Sequence, residues 1–279
     1  MNQQELAGTR DVVRRHYGEI AKTDGASGCA PSCCGGPSGG GSVELGYARD
    51  DLASVPDGAD MGLGCGTPLA FAELKEGETV LDLGSGGGLD CFLAAKQVGQ
   101  SGRVIGVDMT PEMLAKARAN AERVAAGNVE FRLGEIERLP VADRVVDVIV
   151  SNCVINLSPD KASVFREAFR VLRPGGRLAI SDIVASAPLP EAIRGDANAL
   201  AGCIAGAPAL DDLRAMLVDA GFTGVRIDPR PESRTFIRDW LPGSGAEEYV
   251  VSAAIRATRP AGDACCGTDS SQPCCEADA

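Results

Sequence analysis

Three cysteines of this chain stand alone in segments where a reactive thiol is easier to explain than a packed one. Cys65 lies between glycines in MGLGCG, so no neighbouring side chain can pack beside it. Cys153 follows an apolar run in DVIVSNCVINL, and Cys203 lies in the late segment ALAGCIAGAP. A cysteine among apolar residues is usually a small hydrophobic residue. At the end of a buried strand beside a ligand cleft, however, a functional role becomes the better interpretation for Cys153.

The surroundings of these thiols favour a soft ligand. The three cysteines lack the spacing of a sequence-local zinc site, and the one histidine, His16, is far from them in sequence. Thiolates without hard donors suit a thiophilic ion such as trivalent arsenic, which would bind three sulfurs and keep a lone pair. That lone pair could attack a methyl donor without the general base that oxygen or nitrogen substrates need. The site would only have to hold arsenic about 3–3.5 Å from the methyl group.

A methyl donor needs a nucleoside site, and one stretch has the pattern of one. A strand predicted at 79–83 ends at a turn that begins with Gly84, and a periodic apolar helix follows. A second predicted strand, 103–107, stops at Asp108, 24 residues after Gly84. This is close to the separation expected of a carboxylate that binds ribose hydroxyls. The alternative is a tight turn without a ligand, in which glycine serves only for positive φ.

The details of the turn favour S-adenosylmethionine over a dinucleotide. A dinucleotide site would need its third glycine at position 89, which is Leu89. Asp82 precedes the turn, where it would repel a pyrophosphate but attract an ammonium, while the ligand's carboxylate can face the helix N-terminus. The predicted cofactor residues are Asp82, Gly84, Gly86, Asp108, the adjacent Met109, Glu135 in GEIERLP at the level of the adenine, and Asn152 at the end of a strand.

Strands and helices alternate along most of the chain. An amphipathic helix is predicted at about 5–22 and another at 111–126, with Thr110 as its cap. A helix at 159–172 should stop and turn at RPGG, 173–176. The segment 188–220 should be mainly helical, and the other predicted strands are 128–133, 145–151, 177–183, 222–228 and 248–257.

Composition limits the classes of partner. The net charge of -12 argues against nucleic acid and anionic membranes. No apolar run approaches the roughly 18 residues that cross a bilayer, and the N-terminus lacks a signal-peptide core, so a cytoplasmic location is expected. In a reducing cytosol, eleven cysteines are better explained as ligands or redox groups than as a disulfide framework.

The sequence resembles the arsenite S-adenosylmethionine methyltransferase family over residues 12–256. The segments that carry the resemblance are MGLGCG, VLDLGSGGGLDCFLAA, VIGVDMTPEML, VSNCVINLSPDK, LRPGGRLAISDI and GCIAGA. The resemblance implies an α/β fold of the class I methyltransferase type: a doubly wound, Rossmann-like, mostly parallel seven-stranded sheet. It also implies methylation of arsenite to mono- and dimethylated products, for arsenic detoxification.

The same resemblance implies roles for the cysteines. Cys153 and Cys203 would hold As(III), and the grouping of the three isolated cysteines described above adds Cys65 as a third thiolate. Cys65 would also form a disulfide with a cysteine of the N-terminal loop, reducing the pentavalent product, and thioredoxin or glutathione would restore the thiols. Cys34 is the chosen partner, although Cys29 and Cys33 compete with it. Gly202 departs from the family, in which an acidic residue often precedes the cysteine that matches Cys203.

Four parts of the chain are expected. Residues 1–70 would be an N-terminal helix and cysteine-bearing loop that cap the active site, and 71–186 the cofactor-binding core. Residues 187–258 would hold a helical arsenic-binding insertion and the closing strands, and 259–279 a disordered tail. The tail carries two cysteine pairs, 265–266 and 274–275, which are either solvated thiols or a device that captures arsenite.

Two other functions are compatible with parts of the sequence. A small-molecule C- or O-methyltransferase would use the same cofactor site but leaves the three separated cysteines unexplained. An arsenic-sequestering protein would explain the thiols but has no use for an intact glycine turn with Asp108 in register.

Overall fold

The structure is a computed structural model and describes residues 3–22 and 41–262. Its centre is a seven-stranded sheet with the strand order β3-β2-β1-β4-β5-β7-β6. Strands β1 to β5 are parallel, and β7 runs antiparallel to both β5 and β6. The strands are β1 Thr79–Leu83, β2 Arg103–Asp108, β3 Val129–Leu133, β4 Val146–Asn152, β5 Leu172–Ala185, β6 Thr223–Arg230 and β7 Val250–Thr258. The predicted fold class is confirmed.

Helices cover both faces of the sheet. They are α1 Gln3–Lys22, α2 Gly41–Glu44, α3 Arg49–Ala53, α4 Leu69–Ala72, α5 Leu89–Val98, α6 Pro111–Arg123, α7 Lys161–Val171, α8 Glu191–Arg194, α9 Ala197–Ala201, α10 Leu210–Asp219 and α11 Arg234–Trp240. Three short 3₁₀ turns lie at Ile155–Leu157, Pro231–Ser233 and Ala246–Glu248. No helix in the described ranges has the length and apolar character needed to cross a bilayer.

The two faces of the sheet bury separate cores because successive strand residues point in opposite directions. Val80 packs with α4, α5 and α6 on one face. Leu81 and Leu83 pack with α7 and α10 on the other. All three are at most 1% exposed, so β1 is buried on both sides, as its continuous apolar sequence predicts.

One local prediction is wrong. Residues 173–176 do not form a turn after α7 but lie inside β5, where the pairing with β4 shifts register and the Gly175 N–H donates to the Arg259 carbonyl at 2.9 Å. Thr110 occupies the N-cap position of α6, as predicted, but its side chain makes no capping hydrogen bond. Its N–H donates to Asp108 Oδ1 at 2.8 Å.

Candidate active site

A cleft of about 1300 Å³, counted out to its open mouth, lies at the carboxyl ends of β1, β2 and β4. This is the edge at which open α/β sheets bind ligands, because the strand order reverses between β1 and β4. The predicted site residues in its wall are Asp82, Gly84, Gly86, Asp108, Met109, Asn152, Cys153 and Cys203. Cofactor and thiol residues from four separate segments therefore share one cavity.

The glycine turn is held against β2 by its own backbone. The N–H groups of Gly84 and Ser85 both donate to the Val107 carbonyl, at 2.8 and 3.1 Å. Gly84 has φ +71°, and a Cβ there would lie 2.4 Å from a methyl group of Val154. Gly86 also has positive φ but faces open space, so the turn leaves room for a ligand at this position.

Three buried carboxylates lie around this turn. Asp82, Asp90 and Asp108 are each at most 9% exposed. Burial raises the pKa of all three, that of Asp90 to about 6, and the negative charges of Asp90 and Asp108 raise the pKa of Asp82 further. Among the described residues, no Lys or Arg forms a salt bridge with any of them. A cationic ligand would relieve this arrangement, whereas a pyrophosphate would worsen it.

The residues of the cleft fit S-adenosylmethionine on their own geometry. The hydroxyl of Ser85 is buried in the cleft wall and has no hydrogen-bond partner among the described groups. Asp82 accepts from the Cys91 thiol at 3.2 Å and keeps lone pairs for an ammonium. Asp108 accepts from the N–H groups of Gly86 and Thr110 at 2.9 and 2.8 Å, which fixes its carboxylate at the turn.

Asn152 connects the cofactor side of the cleft to the Cys65 loop. Its Oδ1 accepts from the Cys65 N–H at 3.0 Å, and its Nδ2 donates to the Gly66 carbonyl at 2.8 Å and to Tyr47 Oη at 2.9 Å. Tyr47 in turn donates to Asp90 at 2.7 Å. Tyr47 and Asp90 were missed by sequence reasoning, although a carboxylate in the first turn of the helix after the glycines was a usable signal.

Cys65 is fixed by its backbone rather than by a regular element. Besides the bond to Asn152, its carbonyl accepts from Ser252 Oγ on β7 at 2.6 Å. The residue is 2% exposed and does not line the cleft. The flanking glycines allow this close approach, since a Cβ at Gly64 would lie 2.9 Å from Asn152 and one at Gly66 would lie 2.9 Å from Ser181.

Cys153 and Cys203 both have left-handed backbone conformations. Their φ values are +58° and +61°, in a region that side chains other than glycine rarely adopt. Cys153 follows β4, and its N–H donates to the Ser181 carbonyl at 2.8 Å. Cys203 follows α9, where its carbonyl accepts from Asn156 Nδ2 at 3.0 Å. Strained residues at a cleft are typical of functional positions.

The three thiols meet beside the cleft, with Cys153 and Cys203 in its wall and Cys65 outside it. The sulfurs of Cys65 and Cys153 and a carboxylate oxygen of Asp182 all lie within 4.8 Å of one another. Cys203 is not a member of this set, but its sulfur donates to the Cys153 carbonyl at 2.7 Å. The structure therefore brings together three thiols that are 50 to 138 residues apart in sequence.

All three thiols hold their protons more tightly than a free cysteine. Hydrogen bonds with the Cys203 and Cys65 thiols, together with burial, raise the pKa of Cys153 well above the usual value. Burial raises the pKa of Cys65. The hydrogen bond to Cys153 lowers the pKa of Cys203, but burial and Asp182 outweigh it. A ligand that replaces the thiol protons is thus needed to form the thiolates at neutral pH.

Asp182 is the site residue that sequence reasoning missed most clearly. It lies in β5, is 2% exposed, and accepts from the N–H groups of Ile155 and Ile183 at 2.9 and 2.8 Å. Burial raises its pKa to about 6, while those two bonds and the charge of Lys161 oppose the shift. The signal was a single carboxylate inside the apolar strand LAISDIVA, since isolated buried charges are costly unless they serve a site.

Helix α1 forms part of the cleft wall, through Arg10, Val13 and Tyr17. Tyr17 Oη donates to the Ala201 carbonyl at 3.0 Å, just before Cys203. Glu135 does not line the cleft. Its carboxylate lies 3.5 Å from Arg10 and 3.4 Å from Arg14, so in this structure it helps to hold α1 in place, and its contact with an adenine stays a prediction. Cys29, Cys33, Cys34 and the two C-terminal cysteine pairs lie outside the described residues.

A family profile described as "Methyltransferase domain" matches residues 74–221. An arsenite methyltransferase from Halobacterium salinarum is 56% identical over 265 residues, covering 91% of this chain and 68% of the relative. The mouse arsenite methyltransferase is 35% identical, over 80% of this chain and 61% of its own length. The chain thus spans roughly two thirds of the length of these relatives.

A solved structure extends the likeness to three dimensions. The arsenic(III) S-adenosylmethionine methyltransferase from Chlamydomonas reinhardtii superposes with a TM-score of 0.60 and is 34% identical. The match covers 81% of this chain and 76% of that one.

Proposed function

The chain belongs to the arsenite methyltransferase family, and from that premise we propose that it methylates trivalent arsenic bound by Cys65, Cys153 and Cys203. The observation that carries the proposal is the meeting of these thiols beside a cleft that is also lined by buried carboxylates, which form no salt bridge among the described residues. Thiolates select a soft ion, and the carboxylates select a cationic cofactor.

S-adenosylmethionine supplies the methyl group when it is bound. Asp82 would hold its ammonium, Asp108 its ribose hydroxyls, and the turn at Gly84 and Gly86 its carboxylate, with Met109 and Asn152 in the adjoining wall. We keep Glu135 as a residue that reaches the adenine only if α1 releases it, since Arg10 and Arg14 bind it here. The acidic wall would thus hold the cofactor at the end of β1.

Arsenite would load by exchange of its hydroxide groups for thiolates, and the thiol protons leave with hydroxide as water. Bound by three sulfurs, arsenic(III) keeps the lone pair that forms the new bond to carbon, so the site needs no general base. The role of the chain is to place that lone pair on the line of the methyl group. Cys153 and Cys203 suit this task because the Ser181 carbonyl fixes the backbone of Cys153 and Asn156 fixes that of Cys203.

Methylation by a lone pair leaves pentavalent arsenic, and a second methylation needs it reduced. We infer that Cys65 and Cys34 supply the two electrons by forming a disulfide, with Cys33 and then Cys29 as alternatives to Cys34. Cys34 gives its proton to solvent and its sulfur attacks the arsenic-bound sulfur of Cys65. The S–S bond forms as the As–S bond breaks, and the electron pair of that bond stays on arsenic, which returns to the trivalent state. An external dithiol such as thioredoxin, or glutathione, must then reduce the disulfide. This cycle would take arsenite to mono- and dimethylated products.

The four parts expected from the sequence remain our proposal for its organisation: 1–70, 71–186, 187–258 and 259–279. Helix α1 and the Cys65 loop would cap the cofactor core, and the segment around α9 would supply the third thiol. A cytoplasmic location, where glutathione and thioredoxin keep thiols reduced, suits this chemistry.

The test uses Cys153→Ser and Cys203→Ser in the full chain, each with arsenite, S-adenosylmethionine and a dithiol reductant. Products are counted by mass spectrometry, and cofactor binding is measured by calorimetry. We expect each variant to lose arsenite methylation by about a hundredfold or more, as for loss of a metal ligand. Cofactor affinity should stay within about twofold, because neither thiol touches the carboxylates at the other end.

The control is Cys274→Ser with Cys275→Ser, which removes two thiols of the tail, assayed at saturating arsenite. This pair should keep its rate. Full activity of Cys153→Ser would refute arsenic binding by these thiols. It would favour the alternative function, a small-molecule methyltransferase. Arsenite binding without any methylated product would indicate a sequestering protein.

A further inference from the structure

We propose that Cys65, Cys153 and Asp182 form a second cation site, which takes a divalent thiophilic ion such as Zn²⁺ or Cd²⁺ and thereby excludes arsenite. The binding stands on geometry alone, and only the exclusion rests on the proposed function. The site shares two donors with the arsenic site and differs in the third.

The three donors lie near the separation that one ion needs. Each pair of ligand atoms lies within 4.8 Å. Donors of a tetrahedral zinc site are about 3.8 Å apart when the Zn–S distance is about 2.3 Å. Side-chain rotations of about 1 Å or less would close the difference.

The carboxylate is held as a ligand rather than as half of an ion pair. Backbone N–H groups of Ile155 and Ile183 fix one oxygen each, which is the outer-shell support typical of metal ligands. Lys161, the nearby cation, donates to the carbonyls of Asn156 and Ser158 at 3.3 and 2.9 Å. Among the described residues, Asp182 forms no salt bridge, so a buried negative charge remains for a bound ion to neutralise.

Access comes through Cys153, which is half-buried and lines the cleft, whereas Cys65 and Asp182 lie deeper. Three protein ligands leave one tetrahedral position open toward the cleft for water. Binding would release the two thiol protons to solvent.

The third donor separates the two ions. Zinc accepts mixed sulfur and carboxylate ligands, while arsenic(III) prefers sulfur. Cys203 lies outside the Cys65–Cys153–Asp182 set, with its sulfur directed to the Cys153 carbonyl. An ion at that set occupies two of the three sulfurs that arsenite needs, so the two ligands must compete.

The experiment crosses two variants with two ions. The background is the full chain with every cysteine outside the described residues changed to Ser, at positions 29, 33, 34, 265, 266, 274 and 275. ZnCl₂ is titrated against a chromophoric chelator, and arsenite binding is followed by the fluorescence of Trp240, the single tryptophan, which lines the cleft. Asp182→Asn and Cys203→Ser are compared with the background protein.

Asp182→Asn should lower the affinity for zinc by about tenfold or more and change the affinity for arsenite by no more than about threefold. Cys203→Ser should do the reverse. Asp182→Cys should restore zinc binding, and S-adenosylmethionine binding reports that each variant is folded. Equal zinc affinity in the background and Asp182→Asn proteins, or a zinc loss in Cys203→Ser that matches its arsenite loss, would overturn the proposal.

The exclusion is tested with the natural chain. Zinc should raise the arsenite concentration needed for half-maximal methylation, and this inhibition should weaken in Asp182→Asn by the same factor as zinc binding. Absence of any methylation would count against the proposed function alone, because the zinc affinities of the two variants would still decide the second site.

Discussion

The two ends of the cleft are built in opposite ways. The cofactor end consists of neighbouring residues on regular elements, with Asp82 in β1, Asp90 in α5 and Asp108 in β2. The thiol end gathers Cys65, Cys153 and Cys203 from three loops, and two of these have left-handed backbones. One end is carboxylate and the other sulfur, so each selects a different ligand charge and softness.

The difference shows how a general fold acquires a particular substrate. The carboxylate end depends on one βαβ unit, and its geometry follows from local sequence. The thiol end depends on long-range hydrogen bonds, such as those from Asn152 to the Cys65 loop and from Asn156 to Cys203. Substitutions should therefore affect the two ends separately, except where a residue contacts both.

Gly84→Ala should break that separation with the largest effect, because Gly84 forms the cofactor turn and abuts Val154, next to Cys153. An added Cβ at φ +71° would lie 2.4 Å from a Val154 methyl group. Backbone strain and overpacking together should lower the free energy of unfolding by about 2–5 kcal/mol in urea titrations.

Gly224→Ala is the matched control, since Gly224 has φ +62° in β6 with no atom within 4 Å of an added Cβ. Its free energy of unfolding should fall only by the backbone strain, about 1–2 kcal/mol. Equal losses at the two positions would show that the contact with Val154 is unimportant.

Asp82→Asn should sharpen the separation. Because the ammonium loses its charged partner, the affinity for S-adenosylmethionine measured by calorimetry should fall by about 10–100-fold. Arsenite affinity should change little. The free protein should not be destabilised at neutral pH, because burial and the nearby carboxylates raise the pKa of Asp82 and disfavour its charge. Asp228→Asn, at a side chain that is 55% exposed, should leave cofactor affinity unchanged. A loss of arsenite affinity equal to the loss of cofactor affinity would contradict independent ends.

The thiol end should respond to pH through its raised pKa values. Arsenite loads as thiolates form, and the pKa values of all three thiols lie above the usual 9.0. The initial loading rate, read from Trp240 fluorescence, should therefore rise by up to about tenfold per pH unit between about pH 7 and 9. A rate that is flat over this range would mean that thiolate formation does not limit loading.

Glu135→Gln should have the smallest effect. Glu135 is 39% exposed and pairs with Arg10 and Arg14, so its loss should cost about 0–1 kcal/mol of stability and leave cofactor affinity within about threefold. Glu137→Gln is the comparison, since Glu137 lines the cleft and accepts from Ser158 Oγ at 2.6 Å. A tenfold loss of cofactor affinity in Glu135→Gln would instead support the predicted contact between Glu135 and the adenine.

The cofactor end could be predicted because its signals are local. The strand at 79–83, the glycines and Asp108 lie within one stretch, and their order alone sets their spacing in space. The placement of Cys153 followed from the same rule, since it ends a strand at that edge. Errors arose where a residue's partner is distant: residues 173–176 look like a turn but pair with β4 and contact Arg259.

The thiol end could be predicted in composition but not in geometry. The three cysteines were named from their surroundings, yet nothing local shows that a carboxylate oxygen of Asp182 lies within 4.8 Å of the Cys65 and Cys153 sulfurs. Asn152 was assigned to the cofactor, and its bonds to Cys65 and Gly66 give it a second role as a support of the loop. Such contacts depend on tertiary structure alone.

The positive φ angles of Cys153 and Cys203 have a consequence for the history of the protein. Each conformation disfavours a side chain by about 1–3 kcal/mol, and glycine would adopt it freely. A version without these sulfurs would thus be the more robust protein. In a lineage no longer exposed to arsenic, we expect drift to replace these two positions with glycine or asparagine before it erodes the carboxylates around the glycine turn.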